Sequence, residues 1–309
     1  MHAVYRLSII ATAGALLLAV AGCQTFQQPE WPLPPGVKTL TVNGYPMAYV
    51  ERGSGPTLVL VPGSLNDYRY WTPQLETLSS RFRVVAVSPR HYFPERWNGK
   101  GTSFGLEQHA QDLAAFIAGL NAGPIYLVGW SRGGHIAVRT ALARPELVSK
   151  LVLMDAGLAE LVPATGSGKP PPGGGKLAIG AEEFFKKGDL DGGLQYFFDG
   201  VNGVGAWQKL PEEQRRFRVD NAWTLVGQAA DANAKPVTCA EVGGLKMPVL
   251  YMTGDKSPPQ YKPIFDALQR CQPAGDTRGH PEGNAPDEPE QSAGCQFGTY
   301  QVLFGVTSE

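Results

Sequence analysis

Ser131 stands between two glycines in Gly129-Trp130-Ser131-Arg132-Gly133, a spacing suited to nucleophilic attack on a carbonyl. An apolar run, Ile125–Val128, leads into it, and a helical pattern from Arg132 to Ala143 leads out. A turn this tight from strand to helix leaves no room for side chains at Gly129 or Gly133. Its strain lifts the Ser131 hydroxyl out of the backbone at the start of a helix. There the helix dipole and the free N–H groups favour developing negative charge. A serine hydroxyl is a weak nucleophile by itself, so a base must stand beside it.

The neighbouring segments have to hold that turn in place. Thr39–Val42 and Met47–Glu51 read as strands joined through Asn43-Gly44, a strong hairpin signal. Thr57–Val61 reads as a short buried strand ending at Pro62-Gly63-Ser64. Helical spacing follows at Trp71–Ser79, a strand at Arg83–Val87, an amphipathic helix at Gly105–Leu120 and a strand at Lys150–Met154. From Leu158 to about Gly244 the alternation stops. After a Pro/Gly-rich linker at Pro170–Gly175, Ala181–Phe198 and Glu212–Ala229 read as helices. The rhythm resumes with a strand at Pro248–Thr253 and a helix at Tyr261–Arg270. Such alternation predicts an α/β fold, a mostly parallel sheet with helices on both faces. The interruption predicts a helical cap over the strand ends. Its aromatics (Phe184, Phe185, Tyr196, Phe197, Phe198, Trp207 and Trp223) either wall a pocket or fasten the cap to the core. The expected parts are a core over 37–157, a cap over 158–244 and a second core segment over 245–309.

The order strand–Pro-Gly-Ser, strand, helix, strand–Gly-Trp-Ser-Arg-Gly-Gly–helix, strand–Asp, helical insertion, strand–Thr-Gly-Asp resembles the α/β-hydrolase family over roughly Val37 to Arg270. The resemblance implies a Ser nucleophile, a His base and an acid. Ser131 would be the nucleophile, which sets this chain apart from relatives that carry Asp there, the epoxide hydrolases and haloalkane dehalogenases. Two backbone N–H groups, of Ser64 and Arg132, would form the oxyanion hole. The acid would follow one of two strands, as Asp155 or Asp255, with the motif favouring Asp155. At the usual family position for the acid this chain has Ser257. Of the five histidines, His2 lies in the leader. His91 sits at the C-terminal edge of the sheet, where it could line the pocket. His109 and His135 lie on helices, His109 reading as a packed or surface residue and His135 as packed against the sheet. His280 is the one that follows both acids, as the chain order requires, although no strand is legible before it.

The N-terminus reads as an export signal. Arg6 precedes an apolar run, Leu7 to Val20, and Val20-Ala21-Gly22-Cys23 closes it. Those four residues resemble a bacterial lipobox, which implies cleavage after residue 22 and lipid on Cys23. Gln24 after the Cys implies the outer membrane if the cell is Gram-negative. Residues 23–36, with four prolines, read as a stiff tether. Length 309, net charge −1 and 43% hydrophobic residues suit one or two globular domains and give no electrostatic case for nucleic acid. No metal-spaced Cys/His cluster or cofactor loop is legible, so no cofactor is expected. Cys239 and Cys271 could pair, which would leave Cys295 odd.

The tail breaks the pattern. Gln272–Gln296 is rich in Pro, Gly and acids and reads as disordered, where the fold needs a strand, a His loop and a closing helix. A one-base slip in the reading frame near Cys271 would account for this. Shifted forward with freely chosen synonymous codons, the tail can read a strand, a Thr-His-Arg-Met loop and a Pro-started helix, with the new His codon over Ala285 and Pro286. Together these features predict a lipid-anchored serine hydrolase acting on a small ester or related carbonyl compound, inactive as written if the frame is wrong. The alternative is a non-catalytic envelope lipoprotein on a degenerate hydrolase scaffold.

Overall fold

The computed structural model describes residues 31–101, 103–163, 173–273 and 275–279. The leader, Cys23, Cys295 and the tail from His280 onward lie outside these residues.

Eight strands form one sheet in the order β1-β2-β4-β3-β5-β6-β7-β8. They are β1 (Lys38–Val42), β2 (Tyr45–Arg52), β3 (Thr57–Val61), β4 (Arg83–Val87), β5 (Ile125–Trp130), β6 (Val148–Met154), β7 (Val249–Thr253) and β8 (Asp276–Gly279). β2 runs antiparallel to β1 and β4, and every other pairing is parallel. The β1–β2 turn has Asn43 at φ 48° and Gly44 at φ 74°, the pair of positive values a two-residue hairpin favours.

β3 shows why the sheet lies at the centre. All five of its residues are buried, and they alternate between two cores. Val59 and Val61 belong to the core on the side of α2 (Leu106–Gly119), α3 (Arg132–Ala143) and α10 (Tyr261–Cys271). Leu58 and Leu60 pack under α1 (Thr72–Leu78) with Trp71, Leu75 and Leu78. The expected helices on both faces are therefore present.

The insertion after β6 holds α4 (Gly174–Phe185), α5 (Leu190–Asn202), α6 (Ala206–Lys209), α7 (Glu212–Asp220), α8 (Thr224–Ala230) and α9 (Cys239–Gly243). Two long helices were expected there, and both are broken. Gly188, at φ 80°, ends the first, and Asp189 caps α5 by accepting from Gly192 N–H at 2.8 Å. The second breaks at Asn221, whose carboxamide bridges Asp67 and the Phe93 N–H in the core. Phe185, Phe197 and Trp207 are buried in a separate core that the cap shares with Leu65 of the loop after β3, whereas Tyr196 and Trp223 are exposed. The buried aromatics thus bind the cap together.

Two expectations are corrected. The tether docks at its end, where Trp31 packs against the core 6.0 Å from the Tyr45 ring. A strand does precede His280: residues 276–279, expected to be disordered, pair in parallel with β7 over Leu250–Thr253. Sequence patterning missed β8 because its four residues, Asp-Thr-Arg-Gly, are polar and short, so the backbone ladder is the only signal. Among the described residues no helix is long and apolar enough to cross a membrane.

Cys239, at the start of α9, is disulfide-bonded to Cys271, at the end of α10, closing a separation of 32 residues. A loop of that size constrains the unfolded chain by about 4 kcal/mol. The Cys239→Ser/Cys271→Ser variant should melt roughly 10 °C lower than the oxidised protein by calorimetry. Equal melting temperatures would show that the crosslink carries no stability.

Candidate active site

Between β5 and α3 the backbone makes the turn that the glycines foreshadow. Ser131 holds φ 51° and ψ −122°, a conformation that L-residues adopt only when their surroundings impose it. Three features impose it. A Cβ on Gly129 would come within 2.5 Å of the Gly133 carbonyl, and one on Gly133 would collide with the Val61 and Pro62 carbonyls. The Ser131 carbonyl accepts from Gly134 N–H at 2.9 Å and from Gly157 N–H at 2.8 Å. The Ser131 N–H donates to the Met154 carbonyl at 3.0 Å. The hydroxyl is then left at the first turn of α3, where the leading N–H groups have no internal acceptors.

The loop after β3 lies against this turn. A Cβ on Gly63 would stand 2.9 Å from the Ser131 Cβ. Leu65 takes φ 61°, Asn66 N–H donates to the Gly63 carbonyl at 3.2 Å, and the Asn66 carboxamide donates to the Ser64 carbonyl at 2.7 Å. Arg132 and Ser64, the residues proposed from the sequence to hold an oxyanion, thus flank Ser131 from two sides.

Asp155 follows β6 at φ 40°. One of its carboxylate oxygens accepts from the Thr253 hydroxyl at 2.8 Å and the other from the Ser257 hydroxyl at 2.7 Å. Burial pushes this carboxyl above its usual range, and the two hydroxyls pull partly against that. Asp255 does not join it. It is exposed and spends its carboxylate on the Lys256 N–H at 2.9 Å. β8 runs beside this corner, with Gly279 in register with Thr253.

The Ser131 hydroxyl lies 3.2 Å from the hydroxyl of Tyr261, a buried residue at the start of α10. Burial pushes the Tyr261 hydroxyl up to about 12, so at neutral pH it is a hydrogen-bonding phenol and not a base. Sequence reasoning missed Tyr261, since nothing in a helix-initial Tyr marks a contact 130 positions away.

The model of the alpha/beta hydrolase family matches residues 58–291. The chain belongs to that family. It is 26% identical over 232 residues to the (E)-2-((N-methylformamido)methylene)succinate hydrolase of Acinetobacter baylyi, covering 72% of this chain and 80% of that one. It is 34% identical over 102 residues to a putative carbamate hydrolase, RutD, of Agrobacterium fabrum, covering 33% of this chain and only 38% of that relative. An alpha/beta hydrolase from Sphaerobacter thermophilus shares the fold with TM-score 0.68 at 21% identity, covering 88% of this chain and all of that one.

In this alpha/beta hydrolase, none of the described histidines is hydrogen-bonded to Ser131. His91 is held by Glu95 through Nδ1 and by Ser103 through Nε2, each at 3.0 Å, and it stacks on Trp97. His109 is buried, which drives its imidazole well below the ordinary range, and its Nε2 meets the Arg90 carbonyl. His135 is buried on α3 and pushed down to about 3, so it stays neutral. His280 lies outside the described residues, one position beyond Gly279. Among the described residues no group of three His, Cys, Asp or Glu could hold a metal ion.

The raised carboxyl of Asp155 has a sign that can be measured. The unfolded chain ionises this group at a lower pH than the folded one. Folding stability therefore drops as pH rises from about 4 through the raised value. Asp155→Asn removes that loss, so the melting temperature of the variant relative to the parent should climb between pH 3 and pH 7. A difference that stays flat across that range would show that Asp155 carries no burial cost.

Proposed function

We propose that this chain is a serine hydrolase that cleaves a small ester or related carbonyl compound through an acyl-enzyme on Ser131, with Asp155 as the acid and His280 as the base. The observation that carries the reading is the conformation of Ser131, forced to a positive φ beside the loop after β3. His280 is supported by register. The residue before it pairs with Thr253, whose hydroxyl is bonded to Asp155, so the chain leaves β8 at the corner where the acid lies.

In this mechanism the Ser131 oxygen attacks the substrate carbonyl and its proton passes to the imidazole of His280. The Ser64 and Arg132 N–H groups hold the oxyanion. Collapse of the tetrahedral intermediate expels the leaving group, which takes the proton from the imidazole. Water, deprotonated by the same imidazole, then releases the acid and restores Ser131. Asp155 orients the imidazole and stabilises its charged form. The relatives' names, a carbamate hydrolase and a hydrolase of an N-formyl succinate derivative, support carbonyl substrates of modest size.

The placement of the acid departs from the position that the sequence pattern marks. Ser257 stands at that position, and its hydroxyl donates to the carboxylate of Asp155, the residue after β6. Two carboxylates within hydrogen-bond reach would compete for one proton. The single variants Asp155→Asn and Ser257→Asp should each lose activity on a p-nitrophenyl ester, the first by about 10³–10⁴-fold in kcat, the scale of a triad acid's loss elsewhere. The double variant, with one carboxylate restored across the same hydrogen bond, should recover at least tenfold over Asp155→Asn. Additive losses in the double variant would remove Asp155 from the role. A fluorophosphonate probe should label the protein, and Ser131→Ala should abolish labelling. No labelling of the parent would favour the non-catalytic lipoprotein.

The envelope location is likewise our reading. It rests on the leader and Cys23, and the Cys239–Cys271 disulfide agrees with an oxidising compartment. Labelled palmitate should enter the protein in a bacterial host and be lost in Cys23→Ser. Incorporation that survives the substitution would exclude Cys23 as the anchor.

A further inference from the structure

The α8 helix and Asp231, the residue that follows it, meet the loops around Ser131 through Gln228 and Asp231. Gln228 is only 2% exposed. Its carboxamide oxygen accepts from the Ser64 hydroxyl at 2.8 Å, while its Nε2 is buried without a hydrogen-bond partner. Arg132 lies beside Asp231. Its Nη2 forms an ion pair with Asp231 at 3.7 Å, longer than a hydrogen bond, and its Nε and Nη2 are buried without a hydrogen-bond partner. Asp231 is already engaged, accepting the Leu106 N–H at 2.7 Å. The Arg132 guanidinium rests over the Phe104 ring, 5.3 Å from its centroid, and Phe104 in turn crowds Gly227, the residue before Gln228.

Three donor atoms, one on Gln228 and two on Arg132, are thus desolvated and without a hydrogen bond. A buried donor without an acceptor costs roughly 1–3 kcal/mol, and more when it is charged. Native structures keep such groups where a ligand or an ordered water completes them. Both side chains are tied to the site already described. Arg132 follows Ser131 directly, and Gln228 is one hydrogen bond from Ser64, whose neighbour Gly63 stands against Ser131.

We infer that Gln228 and Arg132 form a subsite for a second oxygen acceptor on the substrate, a carboxylate carried by the acyl part. The inference rests on the acyl-enzyme reading above and deepens it: the preferred ester would be one of a dicarboxylic acid. A carboxylate is the acceptor matched to this set, since it supplies lone pairs to an amide N–H and a guanidinium fork together. Gln228 is then the specificity residue that the cap contributes.

The test compares two p-nitrophenyl esters of equal chain length, the pentanoate and the monoglutarate. The ratio of their kcat/KM values should favour the glutarate in the parent. It should fall by about tenfold to hundredfold in Gln228→Leu, the range for a hydrogen bond to a charged group. Gln228→Glu keeps an acceptor for the Ser64 hydroxyl but repels the carboxylate, so it guards against a cap that fails to fold and should lose the preference at least as fully. An unchanged ratio in both variants overturns the subsite and assigns the donors to a structural water. Calorimetry with glutarate alone separates this from failure of the hydrolase reading. Binding weakened tenfold or more by Gln228→Leu, in protein that cleaves neither ester, would retain the subsite and reject the acyl-enzyme. Absent or unweakened binding would reject the subsite whatever the esters do.

Discussion

The architecture of the site depends on one crowded crossing, where the backbone from Gly129 to Gly134 passes under the end of β3. No Cβ fits at Gly129 or Gly133, because the Gly133 and Val61 carbonyls already occupy that space. The close approach lets α3 begin immediately after β5 and forces Ser131 to a positive φ. A strained residue persists only where its surroundings fix it in more than one way. Here the fixing bonds come from Gly134 and Gly157 on its carbonyl and from the Met154 carbonyl on its N–H. Two of these partners lie at or after the end of β6. The strand that delivers Asp155 therefore also holds Ser131, and the two groups are coupled through backbone before any side chain is considered.

That coupling gives a physical reason for the position of Asp155. Asp155 sits at φ 40°, one residue past a strand paired on both sides, so its direction is set by the sheet. Ser257 and Thr253 then supply a hydroxyl to each carboxylate oxygen. The loop after β7 thus contributes a donor to the Asp155 carboxylate. Asp255, in contrast, belongs to an exposed turn and caps its own neighbour. Burial raises the Asp155 carboxyl, and the two hydroxyl donors offset part of that cost.

Much of this was legible from the chain because local sterics write a signal into residue types. The glycines of the turn, the Asn43-Gly44 hairpin and the purely apolar Thr57–Val61 strand each leave one conformation open. What was not legible depends on contacts between distant residues. β8 is polar and four residues long, and exists as a strand only because β7 offers it a ladder. Tyr261 reaches Ser131 because α10 happens to start there. The cap helices read as two long segments because their periodicity runs on, while the breaks at Gly188 and Asn221 are set by packing and by a bond into the core.

The cap and the loop after β3 share a core, which bears on what the cap can do. Leu65 belongs by sequence to that loop, yet it is 1% exposed and packs among Leu177, Phe197, Trp207 and Leu225 of the cap. It is also the residue held at φ 61°. Displacing the cap would expose Leu65 and remove the packing that keeps its backbone in that conformation. It would also break the bond from the Ser64 hydroxyl to Gln228. The loop that flanks Ser131 is therefore shaped by the cap as much as by the sheet. A cap anchored this way is joined to the site through that loop. Substitutions in its interior should reach the chemistry through Leu65 and Ser64 even where no cap residue touches the reacting atoms.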